Sequence, residues 1–71
     1  KDKHRRAIEA YDRFLELEPA DSHAIGKKGV AFNAIGMPDE ARMYLEEAIK
    51  LDPNNRDAVK WLKAITEGGE V

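Results

Sequence analysis

Ala7-Ile8-Glu9-Ala10-Tyr11-Asp12-Arg13-Phe14-Leu15-Glu16-Leu17-Glu18-Pro19 and, 34 residues further on, Ala41-Arg42-Met43-Tyr44-Leu45-Glu46-Glu47-Ala48-Ile49-Lys50-Leu51-Asp52-Pro53 decide the fold. An alanine opens both stretches. A leucine, an acidic residue and a proline close both in register, as Leu17-Glu18-Pro19 and Leu51-Asp52-Pro53. A second echo links Ser22-His23-Ala24-Ile25 to Arg56-Asp57-Ala58-Val59, again 34 residues apart. A period in this range marks a supersecondary unit that cannot bury its apolar face alone and must stack on copies of itself.

Working outward, each stretch reads as a helix. Ala7, Ile8, Tyr11, Phe14, Leu15 and Leu17 recur at helical spacing, which predicts a first helix from about Arg5 to Leu17. Pro19 ends it, because a residue before proline is disfavoured in the helical region and proline has no N–H to donate. Asp21 or Ser22 then caps a second helix running to Ile35. Gly36 suits a left-handed terminator, and Pro38 suits the first position of a third helix, where its missing N–H does no harm. Asp39 and Glu40 complement the positive end of that helix. Asp52-Pro53-Asn54-Asn55 breaks it, and a fourth helix runs from about Arg56 to Glu67. No segment alternates with period two, so strands are not expected. The linkers are short, so sequence neighbours should pack antiparallel.

These residues, taken as a set, resemble the tetratricopeptide repeat family. Residues 22–55 are similar to one complete repeat: Gly29 is the small residue inside the first helix, Phe32 the aromatic one turn later and Gly36 the turn glycine. Ala41, Leu45 and Ala48 form the small-large-small series of the second helix, and Pro53 closes the unit. Residues 1–21 resemble the latter part of a preceding repeat, and 56–67 the first helix of a following one. The resemblance implies an all-α fold of antiparallel helical hairpins, about four helices stacked as a fragment of a right-handed superhelix. It forms a single domain over residues 1–67 with a loose tail at 68–71. Gly29 and Ala48 are small where paired helices approach; Phe32 and Leu45 fill the gap between them. Lys28 departs from the pattern, standing where the family has leucine. Its stem is expected to pack while its ammonium reaches water. Lys63 occupies the position equivalent to Gly29 and would obstruct a following helix, so the fourth helix reads as a cap.

Composition excludes several classes. The chain has 71 residues, 42% hydrophobic and 37% charged, too apolar for disorder and enough for one small domain. A net charge of −2 gives no reason to expect nucleic acid. There is no cysteine, which removes disulfides and thiolate metal sites and fits a reducing, cytoplasmic setting. No apolar run approaches the roughly 18 residues of a membrane span. The chain opens on Lys1 rather than Met, which reads as a fragment or a processed start. His4 and His23 lie on different helices without a metal-ligand spacing. No serine nucleophile motif or phosphate loop is present, so neither an enzyme nor a cofactor is expected. Gly26-Lys27-Lys28-Gly29 looks like the basic loop of KH domains, but that loop needs a mixed helix–strand fold. The basic start Lys1-Asp2-Lys3-His4-Arg5-Arg6 reads as a solvated terminus balanced by Glu9 and Asp12.

The resemblance implies that the first helix of each repeat lines a concave groove. Winding the second helix at about 100° per residue puts Ala24, Ile25, Ala31, Phe32 and Ile35 toward the core. His23, Gly26, Lys27, Val30, Asn33 and Ala34 fall on the other side, and Asp57, Lys60, Trp61 and Ala64 are their counterparts on the fourth helix. Trp61 is an interface anchor by type, although folding against neighbouring helices would reward its ring equally. Gly26 either admits a bound backbone or is a tolerated weak spot. Lys27 and Lys60 suit an acidic peptide, though such lysines are more often simply solvated. The family's best-known ligand, a chaperone carboxylate, needs Lys, Asn and Arg where this chain has Gly26, Val30 and Trp61, so it is not expected. The leading expectation is a scaffold that binds a protein or peptide. Self-association through exposed Tyr11, Phe14 and Leu15 is the alternative. RNA binding is disfavoured by the acidic balance.

Overall fold

Two prolines set the frame. In the computed structural model, which describes residues 2–68, Pro19 and Pro53 lie in turns built alike. After the first helix, the Glu18 N–H donates to the Phe14 carbonyl at 2.9 Å, that of Asp21 to Glu18 at 3.2 Å and that of Ile25 to Asp21 at 3.1 Å. Thirty-four residues later Asp52 donates to Ala48 at 2.9 Å, Asn55 to Asp52 at 3.0 Å and Val59 to Asn55 at 3.2 Å. The caps repeat too. The Asp21 carboxylate accepts from the Ala24 N–H at 2.9 Å, and the Asn55 side-chain carbonyl from that of Ala58 at 3.1 Å.

Four helices result: α1 (Lys3–Leu17), α2 (Ser22–Ala34), α3 (Pro38–Leu51) and α4 (Arg56–Gly68). Among the described residues there is no strand. α1 starts two residues earlier than the periodicity suggested, because the basic run from Lys3 is itself helical. Gly68 belongs to α4 rather than to a tail; the rest of the expected tail, 69–71, lies outside the described residues. Gly36 takes φ +85°, the left-handed region open to glycine without a side-chain clash, and it turns the chain between α2 and α3. Pro38 opens α3.

Each helix packs on its neighbour in sequence, and α2 also touches α4. The slab measures 37 × 31 × 15 Å. Its core is thin: Ile25, Leu45, Ala48 and Ala58 form the buried centre, with Leu15, Val30, Tyr44, Ile49, Leu62 and Ile65 packed around it. Leu45 is the largest fully buried side chain. α2 and α3 approach so closely at Gly29 that an added Cβ would stand 3.0 Å from the Ala41 carbonyl oxygen and 3.0 Å from Leu45 Cγ. Phe32 stacks on Tyr44 with ring centroids 5.3 Å apart, a favourable aromatic contact.

Lys28 corrects one expectation. Its ammonium does not reach freely into water but pairs with the Asp12 carboxylate of α1 and lies 4.3 Å from the centre of the Tyr44 ring of α3. Burial pulls its pKa down, but Asp12 and Tyr44 outweigh that and hold it above the ordinary lysine value. The lysine thus joins three consecutive helices. Asp12 serves this pair, not the basic N-terminus it was expected to balance.

Candidate functional site

The open face between α2 and α4 is held in shape by Asn55. While its carbonyl caps α4, its amide donates to the Ser22 carbonyl at 3.2 Å and to the Ser22 hydroxyl at 2.8 Å. The Ser22 hydroxyl in turn donates to the Ala48 carbonyl at 2.7 Å. One side chain therefore fixes the start of α4 to the start of α2 and, through Ser22, to the end of α3.

Trp61 stands on α4 between two hollows. The first, about 100 Å³, brings together His23, Gly26, Lys27 and Val30 of α2 with Asp57 and Trp61 of α4, closed by Asn55 and Ala58. The second, about 250 Å³, joins Asn33 to Trp61 and Ala64, with Pro38, Ile65 and Gly68 completing the wall. Trp61 is 38% exposed, so its ring is not spent on the core. Leu62 and Ile65, on the inner side of α4, do that packing instead.

Of the residues the sequence singles out, eight therefore line these two hollows. Lys60 does not: it edges a separate depression with Pro53, Asn54, Arg56 and Val59. Ala34 is exposed at the end of α2 and lines neither hollow. Gly26 is buried rather than presented to solvent, because Ala48, Asn55 and Ala58 cover it. A Cβ there would meet its nearest neighbour at 3.5 Å, an ordinary contact, so the glycine marks a floor rather than a gap left for a ligand backbone. Asn55, Ala58, Pro38 and Ile65 were not anticipated. Asn55 had a signal in the sequence, since it is the counterpart of the capping Asp21.

The fold defines a class: a stack of helical hairpins, each seated on the last, with the face between α2 and α4 left open. Residues 22–55 match the family model described as tetratricopeptide repeat, so this stretch is similar to one such repeat. Curated relatives include a rat "FK506-binding protein-like" protein, 35% identical over 65 residues that take up 92% of this chain and 19% of the relative. A human protein of the same name is 36% identical over 63 residues, 87% of this chain and 18% of the relative. The chain thus spans about a fifth of the length of the relatives it matches. No solved structure matches the chain. Among the described residues no helix is long and apolar enough to cross a membrane.

Proposed function

We propose that the chain binds a segment of another polypeptide along the face between α2 and α4, with Trp61 as anchor. One observation carries this reading: a large aromatic side chain stays partly exposed between two hollows while its neighbours Leu62 and Ile65 serve the core. Tryptophan is among the residue types enriched at interface hot spots, because its ring offers large apolar area and an N–H donor at small entropic cost. His23, Lys27, Asn33 and Asp57 supply the polar contacts that fix register, and Val30 and Ala64 the apolar floor. No chemistry is required of them.

The test is affinity capture of partners with the wild-type chain, Trp61→Ala and Met43→Ala, the last being an exposed apolar residue on α3 that lines neither hollow. Trp61→Ala should lose the partner while keeping its helical signal and melting transition, and Met43→Ala should keep it. Equal capture by wild type and Trp61→Ala, with both folded, would place the interface elsewhere.

A further inference from the structure

Lys28 reaches two helices that do not pack on each other. Among the described residues α1 packs on α2 alone, and α3 packs on α2 and α4. Yet the Lys28 ammonium, carried on α2, pairs with Asp12 of α1 and lies 4.3 Å from the centre of the Tyr44 ring of α3. Phe32 stacks on that ring at an interplanar angle of 11° and holds it in place. The Lys28 side chain is only 13% exposed. A charge covered to that degree depends on its partners, and here the partners sit on separate helices.

Packing on a single helix leaves α1 free to tilt. No described residue of α1 is buried, and Leu15 anchors only the end next to the turn. Crossing angles between packed helices scatter by about 15–20°. From Leu17 back to Arg6 the helix rises about 16 Å. A tilt of that size would therefore move Arg6 by about 5 Å. The second junction is fixed in another way. Asn55 ties α4 to α2 by donating its amide hydrogens to Ser22. Its counterpart Asp21 is a carboxylate with no hydrogen to give, so the first junction cannot be tied like this. The counterpart of Lys28 in α4 is Leu62, which packs against the core. The lysine thus stands at the junction that lacks the amide tie.

We propose that Lys28 is a strut: by linking Asp12 to Tyr44 it sets the angle at which α1 lies against α2, and with it the rotation from one hairpin to the next. In a stack of hairpins that rotation determines the curvature of the concave side. Lys28 lines neither hollow at Trp61, so it acts on the groove only through its shape. α1 and α3 both lie within the chain, so the strut acts whatever precedes Lys1.

The chain has no cysteine, so one can be placed on each helix for a spin label. Arg6→Cys on α1 and Glu47→Cys on α3 are both at exposed sites away from the strut. Pulsed electron paramagnetic resonance then reads the distance between the labels in the full chain. With Lys28 in place the distribution should be narrow, and Lys28→Arg should keep it so. Lys28→Leu should shift or broaden it by about 5 Å, the displacement open to an untied α1. Circular dichroism melts establish that each variant is folded. The same distribution with lysine and with leucine, in folded chains, overturns the proposal. Broadening by arginine equal to that by leucine overturns it too, since the charge would then not be what holds α1. Where Lys28→Leu does not fold, Asp12→Ala at its half-exposed site gives the same reading. Loss of the fold in that variant as well would show that the pair holds the fold rather than the angle, and the proposal falls.

Discussion

Two glycines of α2, three residues apart, should respond oppositely to the same substitution. Gly29→Ala gains about 1 kcal/mol of helix propensity. However, it drives a methyl to 3.0 Å from the Ala41 carbonyl and to 3.3 Å from the Leu45 nitrogen, backbone atoms that cannot swing away. Overpacking of that kind costs about 1–3 kcal/mol, so the net effect is destabilising. Gly26→Ala meets only contacts of 3.5–3.7 Å and should stabilise by about 0.5–1 kcal/mol. Urea denaturation should order the midpoints as Gly26→Ala, wild type, Gly29→Ala; the reverse order would contradict the close α2–α3 approach. Lys28 gives a second prediction. Asp12→Asn should cost about 1 kcal/mol at neutral pH, the worth of a partly exposed ion pair. The folded-state pKa of Lys28 is raised, so the pair's contribution is complete below the unfolded value near 10.5 and is lost as pH rises through the folded one. The gap between wild type and Asp12→Asn should therefore close in alkaline solution above that value. The role of Gly29 was legible in the sequence because the repeat demands a small residue there. The pairing of Lys28 was not, since Asp12 sits 16 positions away and becomes a neighbour only when α1 docks on α2.

At the scale of the element, turns and caps were the most readable features. Pro19 and Pro53, Asp21 and Asn55, and Gly36 each sit where the chemistry of helix ends puts them. The ends of the chain were less readable. The charged run opening α1 and the glycine closing α4 carry no apolar periodicity, yet Lys3 and Gly68 are helical. The two matched caps make a paired prediction. Asp21→Ala removes one capping acceptor and should cost about 1 kcal/mol. Asn55→Ala removes the same kind of cap and also the bonds to Ser22, so its cost should exceed that of Asp21→Ala by about 1 kcal/mol or more. Asn55→Asp keeps an acceptor for the Ala58 N–H but sets a carboxylate against the Ser22 carbonyl, and it should fall between wild type and Asn55→Ala. Equal melting temperatures for Asp21→Ala and Asn55→Ala would show that the link from α4 to α2 carries no stability.

For the whole molecule, the period of 34 residues predicts stacking order, and stacking order decides which faces stay open. That is why the helix faces bearing His23, Lys27, Val30, Asp57 and Trp61 were legible, while the closing of Gly26 was not. Helical angle alone gives the direction of a side chain. It does not reveal that Ala48, Asn55 and Ala58 arrive from other elements to cover it. Phe14, by contrast, was expected to be exposed and is so at 45%, although its counterpart Ala48 lies in the core. The central claim is that the face between α2 and α4 is where another polypeptide lies. The most direct test is amide chemical-shift mapping by NMR as a captured partner segment is added to the isotopically labelled chain. The predicted result is a contiguous set of shifts at His23, Lys27, Val30, Asn55 and Asp57 with the indole N–H of Trp61. Shifts confined to the α3 surface around Met43, Glu46 and Lys50, with the Trp61 indole unmoved, would contradict it.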